Sequence, residues 1–306
     1  MDIAASILVA VMMAATPLLL AALGEMITEK SGVLNLGVEG MMLVGAVCAF
    51  VTAHSTGNAY LGVIAGGVAG MLLAAFFAVL VLGLLTNQVA TGLALTLFGL
   101  GLSALIGKSF VGQPIPRLPL LSIPGISDLP VIGPLLFGHD ILVYVSLAAV
   151  FIVHRVIGRT RVGLTLRSVG ESPQVAHGLG LSVRRVQAAA ILIGGAFCGL
   201  GGAYLSLAYT PMWAENMTAG RGWIALALVV FGTWRPLRVL AGAYLFGAMT
   251  LAQLHLQGLG VPIPSQFLTM LPYLATILVL VLMSRDATRI KLNAPAALGK
   301  SFHPDR

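Results

Sequence analysis

Nine times along this chain a run of apolar residues approaches the length at which an α-helix crosses a bilayer. The runs are Ile3–Leu23, Val33–Ala53, Tyr60–Leu85, Val89–Gly107, Ile141–Ile157, Ala188–Tyr209, Met217–Trp234, Val239–Leu256 and Phe267–Ser284. Roughly 20 residues at about 1.5 Å each cover the hydrocarbon core, and most of the runs reach that length. A chain that is 58% hydrophobic and 9% charged has too little polar surface to clothe a soluble globule of 306 residues. The prediction is an all-α fold, a polytopic transmembrane helix bundle of about nine spans, within a range of eight to ten. The range is open because short loops join the sixth to ninth spans and Gly220 and Gly222 interrupt the seventh, so at least one helix is expected to be broken. Backbone groups freed by such a break must find partners in protein or in a wet cavity.

The first run differs from a secretory signal because Asp2 is its only flanking charge at the amino end, and it reads as a retained helix. The loop after it carries Glu25, Glu29 and Lys30. Cys48 and Cys198 both fall inside apolar runs, where they read as small packing residues and define neither a disulfide framework nor a metal site.

Lys and Arg set the expected orientation. Arg155, Arg159, Arg161, Arg167, Arg184 and Arg185 stand against the single acid Glu171 in one connection, which the positive-inside rule places in the cytoplasm. Arg285, Arg289, Lys291, Lys300 and Arg306 place the carboxyl terminus on the same side, and Arg235 with Arg238 agrees. Nine spans then leave the amino terminus outside. The net charge of +7 reflects this orientation, and no nucleic-acid partner is expected. Residues 1–284 read as a membrane domain and 285–306 as a basic cytoplasmic tail, with a cytoplasmic loop at 158–187. The stretch 108–140 holds Pro114, Pro116, Pro119, Pro124, Pro130 and Pro134, which exclude a regular helix. By the same topology it lies outside, as a lid, a docking surface or a rigid loop packed over the helix ends.

Small residues at a spacing of four mark close helix contacts. Gly62, Gly66 and Gly70 form one such ladder, and Gly195 and Gly199, continued by Ala203, form another. The second lies in a glycine-rich run, yet a nucleotide-binding loop would need a strand and a turn before its helix, so helix packing is the reading. Leu102–Ser109, LSALIGKS, lacks the first glycine of a phosphate loop. No HExxH, CxxC or GxSxG occurs, and the six histidines are dispersed. These patterns point to neither an ATP site, a metal centre nor a nucleophile elbow, and hence to no enzyme.

Polar residues inside apolar runs are costly and draw attention. Asn35 and Glu39 are four apart, the spacing of one helix face. In a helix starting at Val33, Glu39 would lie about 9 Å inside. It suits either a translocation path or an internal hydrogen-bond network. In the basic loop, Ser172 followed by Pro173 is a helix start and Gly178 or Gly180 a stop. A short helix of about two turns is expected there, outside the membrane, with a poor apolar face that suits docking to another protein better than lying on lipid.

Five stretches together carry a family resemblance over almost the whole chain: GEMITEKSGVLNLGVEGMMLVGA from Gly24, TNQVATGLALTLFGLGLSALIG from Thr86, RTRVGLTLRSVGESPQVAHGLGL from Arg159, AGRGWIALALVVFGTWRP from Ala219 and MLPYLATILVLV from Met270. The chain resembles permease subunits of ATP-binding cassette importers, in the branch that handles branched-chain amino acids, ribose-type sugars and nucleosides. It looks most like the second of two paired nucleoside permeases. The resemblance implies a bacterial inner-membrane protein without cofactors of its own, because ATP and Mg are bound by separate cassette subunits. It also implies a second related permease and an extracytoplasmic substrate-binding protein as partners. The segment Arg167–Leu181 corresponds to the coupling helix that docks in a cassette groove, with Arg167, Gly170, Glu171, Pro173, Ala176 and Gly180 as its expected residues. Asn35, Glu39, Asn87, Gln88, Thr91 and Arg221 are the expected substrate-path residues, although Asn87 and Gln88 also suit a tight turn. Within the same machine a simple sugar such as ribose, or a branched-chain amino acid, is the alternative cargo. An ion-driven secondary transporter or a scaffolding subunit is the alternative outside it.

Overall fold

The computed structural model describes residues 3–121, 137–258 and 293–303, with single positions between 264 and 281. It is helical. The elements are α1 (Ile3–Lys30), α2 (Val38–Thr56), α3 (Ala59–Ala78), α4 (Gln88–Gly107), α5 (Ile141–Arg159), α6 (Arg161–Glu171), α7 (Pro173–Gly178), α8 (Val183–Tyr204), α9 (Arg221–Phe231) and α10 (Pro236–Gly258). Wider π turns prolong α3 over Val79–Gly83 and α8 over Leu205–Tyr209. Side-chain caps fix many of the boundaries: Asn58, Asn87, Asp140, Thr160 and Ser172 each accept a backbone N–H at the start of α3 to α7 in turn.

Among the described residues, seven helices are long and apolar enough to cross a membrane: Ser6–Lys30, Val38–Thr56, Ala59–Gly83, Gln88–Phe110, Ile141–Arg159, Val183–Tyr209 and Pro236–Gly258. The run Met217–Trp234 yields only α9, whose 11 residues extend for about 16 Å, half of a hydrocarbon core. The expected ninth span, Phe267–Ser284, lies for the most part outside the described residues. So do Pro124, Pro130 and Pro134 of the proline-rich stretch, and Arg285, Arg289, Lys291 and Arg306 of the tail.

Two expectations about the amino-terminal region are corrected. The first helix does not stop at Leu23: α1 runs to Lys30, so Glu25, Glu29 and Lys30 are helical and not in a loop. Both carboxylates are buried, because the last turns of α1 are packed against the rest of the bundle, and burial there prevails over the pull of the charges toward solvent. The second helix starts at Val38, five residues later than Val33, and Asn35 lies in the connection before it. Asn35 and Glu39 therefore do not share a helix face. Gly32 makes this connection turn with φ at +88°, a conformation that suits glycine.

Helix α1 is the central post, packed against α5, α8, α9 and α10, while α2 packs on α3, α4, α8 and α9. The two glycine ladders face one another where α3 crosses α8. A Cβ on Gly70 would come 2.7 Å from Gly199 Cα, and one on Gly66 would come 2.8 Å from Ala203 Cβ. Gly62 instead faces α2, where its Cβ would lie 2.7 Å from Ala49 O. Backbones meet this closely only where both sides lack bulk, and in lipid such contact replaces the hydrophobic drive between helices. Gly101, by contrast, has open space beside it. The basic connection α6–α7, the end of α1 and the segment 293–303 gather at one end of the bundle, here termed the basic end. At the opposite end, Val111 to Leu118 runs along Leu207 to Trp213 in isolated bridges.

Gly70→Val is expected to destabilise the protein by roughly 1–3 kcal/mol or more through overpacking at this crossing, while Gly101→Val leaves it within about 0.5 kcal/mol. Thermal unfolding of the two variants in detergent measures the difference.

Candidate functional site

Glu39 stands in the first turn of α2, with 4% of its surface exposed. Its depth follows from its neighbour: a Cβ on Gly40 would touch Leu95 O at 2.7 Å, and one on Gly99 would touch Gly40 Cα at 2.7 Å. Leu95 and Gly99 lie 7 and 11 residues into α4, which puts this contact about 10–16 Å from the basic end. At that depth the carboxylate holds the amino end of α9. Oε1 accepts the Thr218 hydroxyl at 2.5 Å and the Gly220 N–H at 2.8 Å, and Oε2 accepts the Gly222 N–H at 2.5 Å.

The chemistry of this clasp follows from the helix it serves. The first N–H groups of a helix have no partner within it, and aligned peptide dipoles place partial positive charge there. Gly220 takes a left-handed conformation with φ at +82° to start α9. A Cβ on Gly222 would collide with Glu39 backbone at 2.6 Å, so glycine allows α2 and α9 this close approach. Arg221 sits between the two glycines, but its guanidinium turns away: Nη1 donates to Met217 O at 3.1 Å and Thr218 O at 3.2 Å, with the Tyr209 ring centroid 5.7 Å from Cζ.

The remaining expected path residues divide between two levels. Asn35 is buried beside the clasp. Its N–H donates to Glu25 Oε1 at 3.0 Å, and its Oδ1 accepts the Gly37 N–H at 2.9 Å. Asn87, Gln88 and Thr91 lie at the basic end, in and just after the turn that opens α4. Asn87 caps α4 through the Ala90 N–H at 3.0 Å, and the Thr91 hydroxyl bonds Asn87 O at 2.7 Å. Gln88 is buried and accepts the Leu34 N–H at 2.8 Å. Gln88 thus fastens the α1–α2 connection, and Thr96 does so higher up by donating to Leu36 O at 2.9 Å.

Several residues that shape this region were missed by sequence reasoning. Glu29 accepts the Trp234 indole N–H through Oε2 at 2.5 Å, which ties the end of α1 to the turn after α9. In that turn Thr233 and Trp234 have φ of +49° and +53°. Arg238 donates to Thr233 Oγ1 at 2.7 Å, and Gln187 Nε2 to Ser31 O at 3.3 Å. The i, i+4 spacing of Glu25 and Glu29 was the available signal, once the helix is carried past its first charge.

At the basic end, α7 has the expected start. The Ser172 hydroxyl accepts the Val175 N–H at 3.4 Å, Pro173 occupies the first turn, and Gly180 has φ at +83°. The segment Arg167–Leu181 is the end of α6, a corner and α7, rather than one helix. Gly170, Pro173 and Ala176 face inward, and a Cβ on Gly170 would lie 3.2 Å from Gly32 N and closer still to Lys30 O. Arg167, Glu171 and Gly180 are exposed. So are Val175 and Leu179, at 62% and 75%. A 340 Å³ cavity at Arg167 and Glu171 is lined also by Lys30, Leu164, Ser168, Asn293 and Pro295. Among the described residues, no group of three or more His, Cys, Asp or Glu side chains is placed to hold a metal ion.

The seven long apolar helices make the chain a multi-pass membrane protein. Residues 7–283 match the family of permease components of branched-chain amino acid transport systems, and the chain belongs to that family. It is 42% identical to a putative glucose ABC transporter permease, TsgC13, of Haloferax volcanii, over 99% of both chains. It is 33% identical to the nucleoside ABC transporter permease NupC of Lactococcus lactis, over 94% of this chain and 93% of that one. Identity to the guanosine ABC transporter permease NupQ of Bacillus subtilis is also 33%, over 87% and 88%. No solved structure matches the chain. The protein is thus a multi-pass ABC transporter permease, a transport subunit and not an enzyme, and its family implies ATPase and binding-protein partners.

Glu39→Ala leaves the Gly220 and Gly222 N–H groups and the Thr218 hydroxyl without their acceptor, at about 1–3 kcal/mol for each buried group. Its unfolding midpoint in detergent is expected to fall well below that of Glu39→Gln, whose amide oxygen still accepts from α9. Equal midpoints for the two variants would show that the carboxyl does not hold the helix.

Proposed function

We propose that this chain forms the translocation path of an ATP-driven nucleoside importer in a bacterial inner membrane. The observation that carries the cargo is the 33% identity to permeases named for nucleoside and guanosine transport, NupC and NupQ, over most of their length. The 42% identity to TsgC13 favours a second reading, a simple sugar, in the same machine. Nine spans are proposed: the seven long helices, a broken span containing α9, and Phe267–Ser284. The amino terminus then lies outside, and the basic end and carboxyl terminus are cytoplasmic, in keeping with the distribution of Lys and Arg. The stretch 108–140 faces the extracytoplasmic binding protein. ATP and Mg reside in two cassette subunits, and a second related permease completes the pore.

Three features support a coupling role for α7. It lies outside the spans, its inward face is seated by Pro173 and Ala176, and Val175 and Leu179 are left for a partner. In this reading Arg167, Glu171 and Gly180 meet the cassette, while Gly170, Pro173 and Ala176 hold the corner rigid. Closure of the cassettes on ATP moves the corner and shifts the bundle between its two open states, each favoured by its own contacts. Asn35, Glu39 and Arg221 then act in the path largely by shaping backbone at its centre, and Asn87, Gln88 and Thr91 shape its cytoplasmic mouth.

Proteoliposomes containing the chain with its permease partner, cassettes and binding protein are expected to take up labelled nucleoside only with ATP on the cassette side. Unlabelled nucleoside should compete, and glucose, ribose and leucine should not. Competition by glucose alone would reassign the cargo, and uptake that ignores ATP but follows an ion gradient would overturn the importer reading. Val175→Asp combined with Leu179→Asp is expected to reduce uptake at least about tenfold and to weaken co-purification of the cassettes, with insertion of the permease unchanged.

A further inference from the structure

The segment 293–303 is ordered against the basic end by contacts that join parts otherwise remote in the chain. Lys30 Nζ donates to Asn293 O at 2.8 Å. Ala297 N–H donates to Gly170 O at 3.0 Å, at the end of α6, and Gly299 N–H to Gly32 O at 3.1 Å, in the α1–α2 connection. Gln88 Nε2 reaches Lys300 O at 3.5 Å. Gly299 turns the chain with φ at +76°. Phe302 is then buried against Val169, Ala176 and Val183, with the His177 ring 5.5 Å away edge to face. One side chain thus plugs the space between the ends of α6 and α8 and the inner face of α7.

The connectivity of these contacts is what gives them a role beyond stability. From α7 the path runs through Phe302 and Gly299 to Gly32, and from there five residues lead to Val38 and the Glu39 clasp. Gln88 holds both Leu34 and Lys300, so the same segment is pinned from the side of α4. Buried aromatic packing is stiff on the scale of these motions, because a filled core transmits displacement.

We infer that the segment Pro295–His303 is a transmission strap that carries displacement of α7 to the α1–α2 connection and the Glu39 centre, with Phe302 as its positioning residue. This rests on the coupling role proposed above for α7. The strap makes no contact with cargo or nucleotide in this scheme. It acts by keeping the corner and the connection in one rigid body, so that a push on the corner is not absorbed locally.

The test reconstitutes the whole importer and measures both ATP hydrolysis and nucleoside uptake. Phe302→Ala is expected to keep cassette co-purification and basal hydrolysis while uptake per ATP falls at least about fivefold, and Phe302→Leu restores it. A fall in uptake and hydrolysis by the same factor, or no change in either, overturns the strap. Should Phe302→Ala fail to fold, Gly299→Val, which strains the turn of the strap at φ +76° and leaves Phe302 in place, decides the matter. Uptake per ATP that falls while hydrolysis persists supports the strap, whereas an equal fall in both, or no change in either, overturns the inference. The reading of α7 fails separately, if Val175→Asp with Leu179→Asp leaves uptake and cassette binding intact.

Discussion

A helix that begins in the buried interior of a bundle must find partners for its first N–H groups, and in this protein Glu39 supplies them for Gly220 and Gly222. The turn before α9 takes the Arg221 N–H on Thr218 O at 3.0 Å, and the Gly220 and Gly222 N–H groups are left to the carboxylate. One carboxylate takes two of these N–H groups and the Thr218 hydroxyl, and in doing so fixes where α2 must sit relative to α9. The cost of a charge at this position is offset by donors and by the positive end of the helix dipole. Much of the central architecture follows. Gly222 must be glycine for α2 and α9 to touch, Gly40 and Gly99 must be small for α4 to close on the other side, and the connection before α2 must pass close to Gly92 and Thr96 at Leu36.

The other end of α9 is held in the same manner by a second carboxylate. Glu29, on α1, accepts the indole of Trp234 in the turn that follows α9. The helix of 11 residues is therefore suspended between α2 at its amino end and α1 at its carboxyl end. The strained backbone of Thr233 and Trp234 belongs to this second attachment: two successive non-glycine residues at positive φ persist because the indole and the Arg238 bond over-determine the turn. The sequence motifs GRG and GTWRP are thus the two anchors of one short helix.

How much of this was legible in the sequence depends on the range of the interaction. Helix existence and the start of α7 with its cap at Ser172 were readable because they depend on residues a few positions apart, whereas Asn87 reads from sequence as a turn residue and proves to cap α4. The two glycine ladders were readable as close-contact surfaces, but their register was not, since Gly70 meets Gly199 only when α3 and α8 have been placed. Helix ends were misjudged where charge and burial compete. Charges at Glu25, Glu29 and Lys30 suggested a loop, and the packing of α1 against α8 and α9 overrode that local signal. Asn35 and Glu39 seemed to share a face because their spacing is helical, while the α1–α2 connection consumes the residues up to Gly37. Both residues do belong to the centre, but they serve different bonds within it.

Since α1 and α2 each hold one end of α9, a relative shift of the two cannot leave α9 unaffected. Either the helix moves as a body with one of them and breaks its bond to the other, or both bonds persist and the turn at Thr233 and Trp234 absorbs the change. Breaking the Glu39 clasp strands several buried polar groups at about 1–3 kcal/mol each, whereas Glu29 and Trp234 share a single hydrogen bond. The clasp at Glu39 is accordingly the firmer attachment, and α9 stays with α2 when the two helices part.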